Sequence, residues 1–298
     1  MHVPVLVSEV LEYLAVRAAG TYIDATLNGG GHAEAILRES SEVRLLGIDW
    51  DAVIVAKARE RLAPFQDRAV IVQGNFADIA EIHRSSGLPL ADGLIADLGL
   101  SSNQLDDADR GFSFDREGPL DMRMDAGCPR TAADLVNHLP EAELADLIFQ
   151  LGEERHSRRI ARAIMKARPI HKTTQLAQVV ARAIPLRTGL HHIHPATRTF
   201  MALRMAVNRE MGNLDTFLDR SPDVLAPGGR MVVISFHSLE DGKVKRAFQQ
   251  WQREGRANLL TKKIRRPTPA EITANSRSRS AKLRAVEKIS GARELRND

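Results

Sequence analysis

A glycine cluster and an acid are spaced across residues 24–49 as the binding of a nucleotide-type ligand requires. Asp24-Ala-Thr-Leu-Asn-Gly-Gly-Gly-His32 follows the strand-like Tyr22-Ile23 and precedes a helical stretch. Glycines let a backbone turn sharply and approach a ligand closely. A helix starting there points free N–H groups at that ligand. A second apolar run, Arg44-Leu-Leu-Gly-Ile-Asp49, ends in a carboxylate about 20 residues after the glycines. At that spacing an acid can accept bonds from both ribose hydroxyls.

Two ligands share this geometry, a dinucleotide and S-adenosylmethionine. The dinucleotide fingerprint asks for a third glycine, and Glu34 stands in its place. A carboxylate facing a pyrophosphate is unfavourable but need not trouble a sulfonium cation, which favours the methyl donor. Gly74-Asn75-Phe76 closes a third apolar run and offers an amide and a ring for an adenine, or simply a core phenylalanine after a turn. Asp97 opens the polar run Asp97–Gln104 after a fourth strand. Ligands sit beyond the carboxyl ends of parallel strands, so Asp97 is placed for the reacting centre, where a carboxylate can accept N–H bonds from an amino group. His237, after a fifth strand, shares that edge. His191-His-Ile-His194 lacks a matching acid and a second cysteine, so a polar loop is favoured over a metal site.

The elements that must position these residues alternate as β and α. Strands are expected at Tyr22–Thr26, Arg44–Asp49, Ala69–Gly74 and Gly93–Leu98, with helices at His32–Arg38 and Asp51–Leu62. Such a rhythm gives a parallel sheet covered on both faces. From about Asp106 the rhythm stops. An ordered polar loop over 106–125 leads into helical patterns, the clearest being one helix through Phe200, Leu203, Val207, Met211, Leu214 and Leu218. The sheet resumes with a turn at Leu225–Arg230, a strand at Met231–Ser235, a helix over Glu240–Trp251, and final strands at Lys262–Arg266 and Leu283–Ile289. The reading is an α/β domain over 1–105 and 213–298, interrupted by a helical insert, 106–212.

The 298 residues, 43% of them hydrophobic, describe an ordinary globular chain. No apolar run approaches the roughly 18 residues of a membrane helix. A single cysteine, Cys128, rules out an internal disulfide and fits a reducing cytoplasm. The net charge of +4 hides an asymmetry. Residues 243–288 hold fourteen Lys or Arg and three acids, a balance of +11 against −7 for the rest. A basic block on an acidic chain points to an anionic partner, most simply nucleic acid, or else to a solvated surface. Arg155, Arg158, Arg159 and Arg162 share one helical stretch, facing either phosphates or solvent.

Together these segments resemble the RsmH (MraW) family of methyltransferases. The matching runs are Asp24–His32, Gly74–Phe76, Asp97–Asp107, Arg110–Phe114, Gly118–Asp125, Gly152–Arg155, His194–Phe200, Phe236–Asp241 and Arg277–Arg284. The resemblance implies a Rossmann-like class I sheet with an inserted all-helical domain that recognises substrate. It implies S-adenosyl-L-methionine bound by Gly30, Gly31, His32, Asp49, Phe76, Asp97 and Gln104, with Asp97 and His237 as catalytic candidates. It further implies N4-methylation of one cytosine of 16S rRNA in the ribosomal decoding region. RNA is expected at Arg277, Arg279, Lys282 and Arg284. The partner is 16S rRNA or the small subunit, without metal or membrane, as a monomer or a homodimer. Asn28 and Ala33 depart from the family's usual glycine and serine.

Three other readings stay open on sequence. One is an amino-methyltransferase on another nucleic acid, and one an RNA-binding assembly factor with a vestigial pocket. The last and weakest is a dehydrogenase.

Overall fold

The computed structural model describes residues 4–184 and 194–289. In chain order it forms α1 (Val7–Leu14), β1 (Thr21–Asp24), α2 (Gly31–Arg38), β2 (Arg44–Asp49), α3 (Ala52–Leu62), β3 (Ala69–Gln73), α4 (Ile79–Ser86) and β4 (Ala91–Asp97). A helical run follows: α5 (Ser102–Asp106), α6 (Ala132–His138), α7 (Glu141–Gly152), α8 (Ser157–Ala167), α9 (Thr173–Ala183), α10 (Thr197–Val207) and α11 (Glu210–Val224). Then come β5 (Leu225–Ser235), α12 (Ser238–Arg253), β6 (Ala257–Leu259), α13 (Pro269–Ala274) and β7 (Lys282–Lys288). The chain divides into two compact units, one of Met1–Ser101 with Gly212–Asp298, the other of Ser102–Met211.

The first unit is built on one seven-stranded sheet of order β3-β2-β1-β4-β5-β7-β6. β1 to β5 run parallel, and β7 enters antiparallel between β5 and β6. This is the α/β sheet expected from the alternating pattern, and it is Rossmann-like as the family resemblance implies. All four residues of β1 are buried, as in a strand covered on both faces. Ile36, Leu37, Leu45, Ile95, Val232 and Leu283 belong to one continuous apolar core with Val10 and Leu14 of α1. Burying each such side chain is worth about 1.5–3 kcal/mol. The strand order turns round between β1 and β4, and ligands of open α/β sheets bind beyond the strand ends at such a point.

Three sequence expectations need correction. The single helix through Phe200 and Leu218 is two helices, broken at Asn208-Arg209, where Arg209 has φ +52°. Buried Asn208 is recruited by the 122–124 loop: its Nδ2 donates to the Met122 carbonyl at 2.8 Å and its Oδ1 accepts from Met124 N at 2.7 Å. Second, the Leu225–Arg230 turn lies within β5. Ala91 pairs with Leu225 and Gly93 with Arg230, so the extra residues loop out as a bulge. Gly228 there has φ +76°. Third, Lys262–Arg266 is not a strand. It meets β7 through an isolated Arg265–Leu283 bridge, and the edge strand is the three-residue β6.

In the second unit the loop at 106–125 is ordered, as expected from its charges. Arg110 donates to the carbonyls of Arg123 and Met124, and Arg123 forks onto Asp121 with two bonds of 2.8 Å. Leu120 N donates to His171 O and Thr173 N to Gly118 O, tying the loop to the start of α9. Among the described residues, no helix is long and apolar enough to cross a membrane.

Candidate cofactor site

The loop between β1 and α2 takes three successive left-handed residues, Asn28 (φ +47°), Gly29 (φ +90°) and Gly30 (φ +82°). Glycine carries no penalty there, and asparagine a smaller one than most residues. Asn28 N donates to Asp49 Oδ2 at 3.0 Å, and Asp51 N donates to Asp49 Oδ1 at 3.0 Å. Gly31 is small for a different reason: a Cβ there would stand 2.9 Å from Pro4 Cγ. His32 is buried, with Nε2 2.9 Å from the Val5 carbonyl and Nδ1 3.7 Å from Asp97 Oδ2.

Three carboxylates end neighbouring strands: Asp24 on β1 and Asp97 on β4, both buried, and Asp49 on β2, partly exposed but deeply surrounded by protein. Burial disfavours their charged forms. It pushes Asp49 up to about 6, against main-chain bonds from Asp51 and Asn28. Burial, with the Glu240 carboxylate second, pushes Asp97 up to about 8. Asp24 is raised too, by burial first and by Asp97 and Asp49 beside it. Asp24 Oδ2 and Asp97 Oδ1 are buried without a hydrogen-bond partner. An orphaned buried oxygen is costly, and each of these two can still accept a hydrogen bond.

Next to Asp97, on β5, the chain turns into α12 through His237. Glu240 is 2% exposed and accepts from Phe236 N at 2.9 Å. His237 Nε2 lies 2.8 Å from Glu240 Oε1 but off the line of a hydrogen bond, so that nitrogen has no aligned partner. Phe76 is half-buried, one ring edge on Phe217 at 5.0 Å. Asn75 Oδ1 caps the turn by accepting from Ala77 N. Six predicted cofactor residues, Gly30, Gly31, His32, Asp49, Phe76 and Asp97, thus belong to the first unit. Gln104 is buried on α5 in the second.

Glu34, which stands where a dinucleotide fingerprint has its third glycine, is taken up by two arginines. Its carboxylate bonds Arg61 at 2.5 Å and Arg38 at 2.6 Å, which hold it below the usual range. Arg277, Arg279 and Lys282 precede or open β7, the first two exposed. Arg284 is committed internally, bonding Asp241 at 2.7 and 3.1 Å. Contact with RNA would require that pair to open. His191 and His192 lie outside the described residues, and among those described no three His, Cys, Asp or Glu side chains are grouped to hold a metal.

The model of the MraW methylase family matches residues 1–289. The chain belongs to this family. A relative from Syntrophobacter fumaroxidans, named ribosomal RNA small subunit methyltransferase H, is 50% identical, covering 96% of each chain. One of the same name from Gloeobacter violaceus is 50% identical over all of this chain and 91% of its own. Among solved structures, an rRNA methylase from Streptococcus thermophilus superposes with a TM-score of 0.45 at 10% identity, covering 94% of this chain and 93% of its own.

As a MraW methylase the chain is a methyltransferase using S-adenosylmethionine. The residues present fit that cofactor. It brings ribose hydroxyls, an amino group and positive charge, which are what buried acids and orphaned carboxylate oxygens lack. Two members of this arrangement escaped the sequence reading. Asp24 was legible as an acid ending the first strand, and Glu240 as an acid three residues after His237, the spacing of a capping box.

Proposed function

We propose that this MraW methylase transfers a methyl group to N4 of one cytosine of 16S rRNA, in the decoding region of the small subunit. The observation that carries the reading is the orphaned Asp97 Oδ1 at the carboxyl end of β4, beside the glycine loop. The names of relatives at about half identity support an rRNA substrate. The reaction belongs to the bacterial cytoplasm, where small subunits are assembled.

When bound, the cofactor supplies an electrophilic methyl group. The chain's own residues supply position. The lone pair of an exocyclic amine is delocalised into its ring. A carboxylate accepting an N–H bond at Asp97 Oδ1 turns that nitrogen out of conjugation and holds it in line. Asp49 holds the ribose, its carboxylate already pinned by two main-chain N–H groups. The methylated amine sheds a proton, and His237 Nε2 and Asp97 are the groups on this edge able to hold it.

The test is transfer of labelled methyl to small-subunit RNA, followed by nucleoside mass spectrometry. N4-methylcytidine at one position is expected. A methyl on ring carbon, on another base, or no transfer to this RNA overturns the reading.

A further inference from the structure

We infer that the outer face of α8 is a docking surface for the phosphate backbone of the substrate RNA. The inference rests on the reading of this protein as an RNA methyltransferase and adds which element holds the polyanion.

One side of α8 is fixed by packing. Ser157, Ile160, Ala161 and Ile164 recur at helical spacing and are buried in the second unit. Arg155, just ahead of the helix, with Arg158, Arg159, Arg162 and Lys166, occupies the opposite side, and all five are exposed. Among the described residues, Arg155, Arg158, Arg159 and Lys166 have no carboxylate partner, and Arg162 only approaches Glu141 at 3.5 Å. The one acid at helical spacing, Glu154, is buried and turned to Arg198 and to its own main chain.

A solvated helix is usually stabilised by charges of alternating sign. This one carries the reverse. Arg155–Arg159, Arg158–Arg162 and Arg162–Lys166 are like-charge pairs four residues apart, each unfavourable in the free helix. The first turn holds arginines and no acid, where the helix dipole disfavours cations. The helix therefore tolerates an electrostatic cost that a bound polyanion would relieve. Arginine also forks onto phosphate oxygens. A membrane does not fit, because the apolar side of α8 is already buried.

The test uses the full chain and small-subunit rRNA. Arg158→Ala/Arg159→Ala/Arg162→Ala is compared with wild type and with a charge-matched control, Lys57→Ala/Arg84→Ala/Arg220→Ala, on exposed positions of the first unit outside the basic block. Binding is followed from 50 to 300 mM salt, with melting temperature alongside. At a slope of about −0.7 to −0.9 per phosphate contact, the α8 variant should flatten the salt dependence by about 2 to 3 units and bind about tenfold or more weakly at low salt. Its melting temperature should hold or rise, because like charges have been removed. The control should keep the wild-type slope. Unchanged affinity and slope in the α8 variant, with wild type still binding and methylating rRNA, overturns the docking surface alone. Loss of melting temperature with no change in slope does the same, assigning the arginines to the fold. A wild-type protein that neither binds nor methylates this RNA overturns the functional reading and the inference with it.

Discussion

Asn28 Nδ2 donates to the main-chain carbonyl of Asp97 at 2.8 Å, a buried bond between the glycine loop and the end of β4. The same residue's N–H reaches Asp49. Asn28 thus joins both acidic strand ends. Its left-handed backbone is one that glycine takes without strain, and its amide adds a bond that glycine cannot make. Asn28→Gly should cost about 0.5–1.5 kcal/mol, that of a hydrogen bond. Asn28→Ala should cost more, because alanine also resists positive φ. Urea denaturation of both variants is the check, and equal stability of wild type and Asn28→Gly would show that this bond contributes nothing.

Asp49 should anchor the ribose through charged hydrogen bonds, worth about 1.5–3 kcal/mol. Asp49→Ala is therefore expected to weaken S-adenosylmethionine binding by about ten- to a hundredfold. Because burial lifts Asp49 to about 6, affinity in the wild type should fall as pH drops below that value. Calorimetry across pH 5 to 7.5 tests both. A folded Asp49→Ala protein with unchanged affinity would take Asp49 out of the site.

The parts of this fold that were legible share a physical cause. β1, β2 and β4 are short apolar runs ending in an acid, and an apolar run buried on both faces reads the same in any context. The break between α10 and α11 left no trace, because Phe200, Leu203, Val207, Met211 and Leu214 keep helical spacing straight through it. What interrupts the helix is Asn208 bonding a loop more than eighty residues away in sequence. The three-residue β6 is too short to carry a period. In the site, Asp97 was readable from its place after a strand. The use of Gly31 to admit Pro4, and of Glu34 to bind Arg61, depends on neighbours met only in three dimensions, which no local pattern encodes.

Asp97 should matter more for turnover than for folding. Asp97→Asn keeps the shape but loses one acceptor oxygen and the capacity to exchange a proton, and methyl transfer should fall at least about tenfold, about 1.4 kcal/mol of transition-state stabilisation. Stability should move the other way. The native carboxyl titrates at about 8 against an ordinary 3.8, so the native state binds the proton more tightly than the unfolded chain. That contribution is complete below pH 4 and is lost as pH rises through 8. Ligand-free Asp97→Asn should therefore show a flatter fall in melting temperature between pH 6 and 8 than wild type. Parallel curves for the two proteins would mean that Asp97 is already ionised at neutral pH.

The basic segment before β7 should divide into two functions. Arg277 and Arg279 are exposed, and Lys282 follows them at the strand's start, where an RNA backbone can approach. Arg277→Glu/Arg279→Glu/Lys282→Glu should weaken RNA binding and flatten its salt slope, by about 0.7 to 0.9 for each phosphate no longer neutralised. S-adenosylmethionine affinity should stay near that of wild type. Arg284 lies only two residues further on, yet its fork onto Asp241 is partly buried and joins β7 to α12. Arg284→Ala strands that carboxylate and should cost about 1–3 kcal/mol of stability with little change in salt slope. Filter binding over a salt series, read with thermal melts of both variants, separates these outcomes. If Arg284→Ala flattens the slope as the triple variant does while melting like wild type, the Asp241 pair is not what holds this guanidinium in solution.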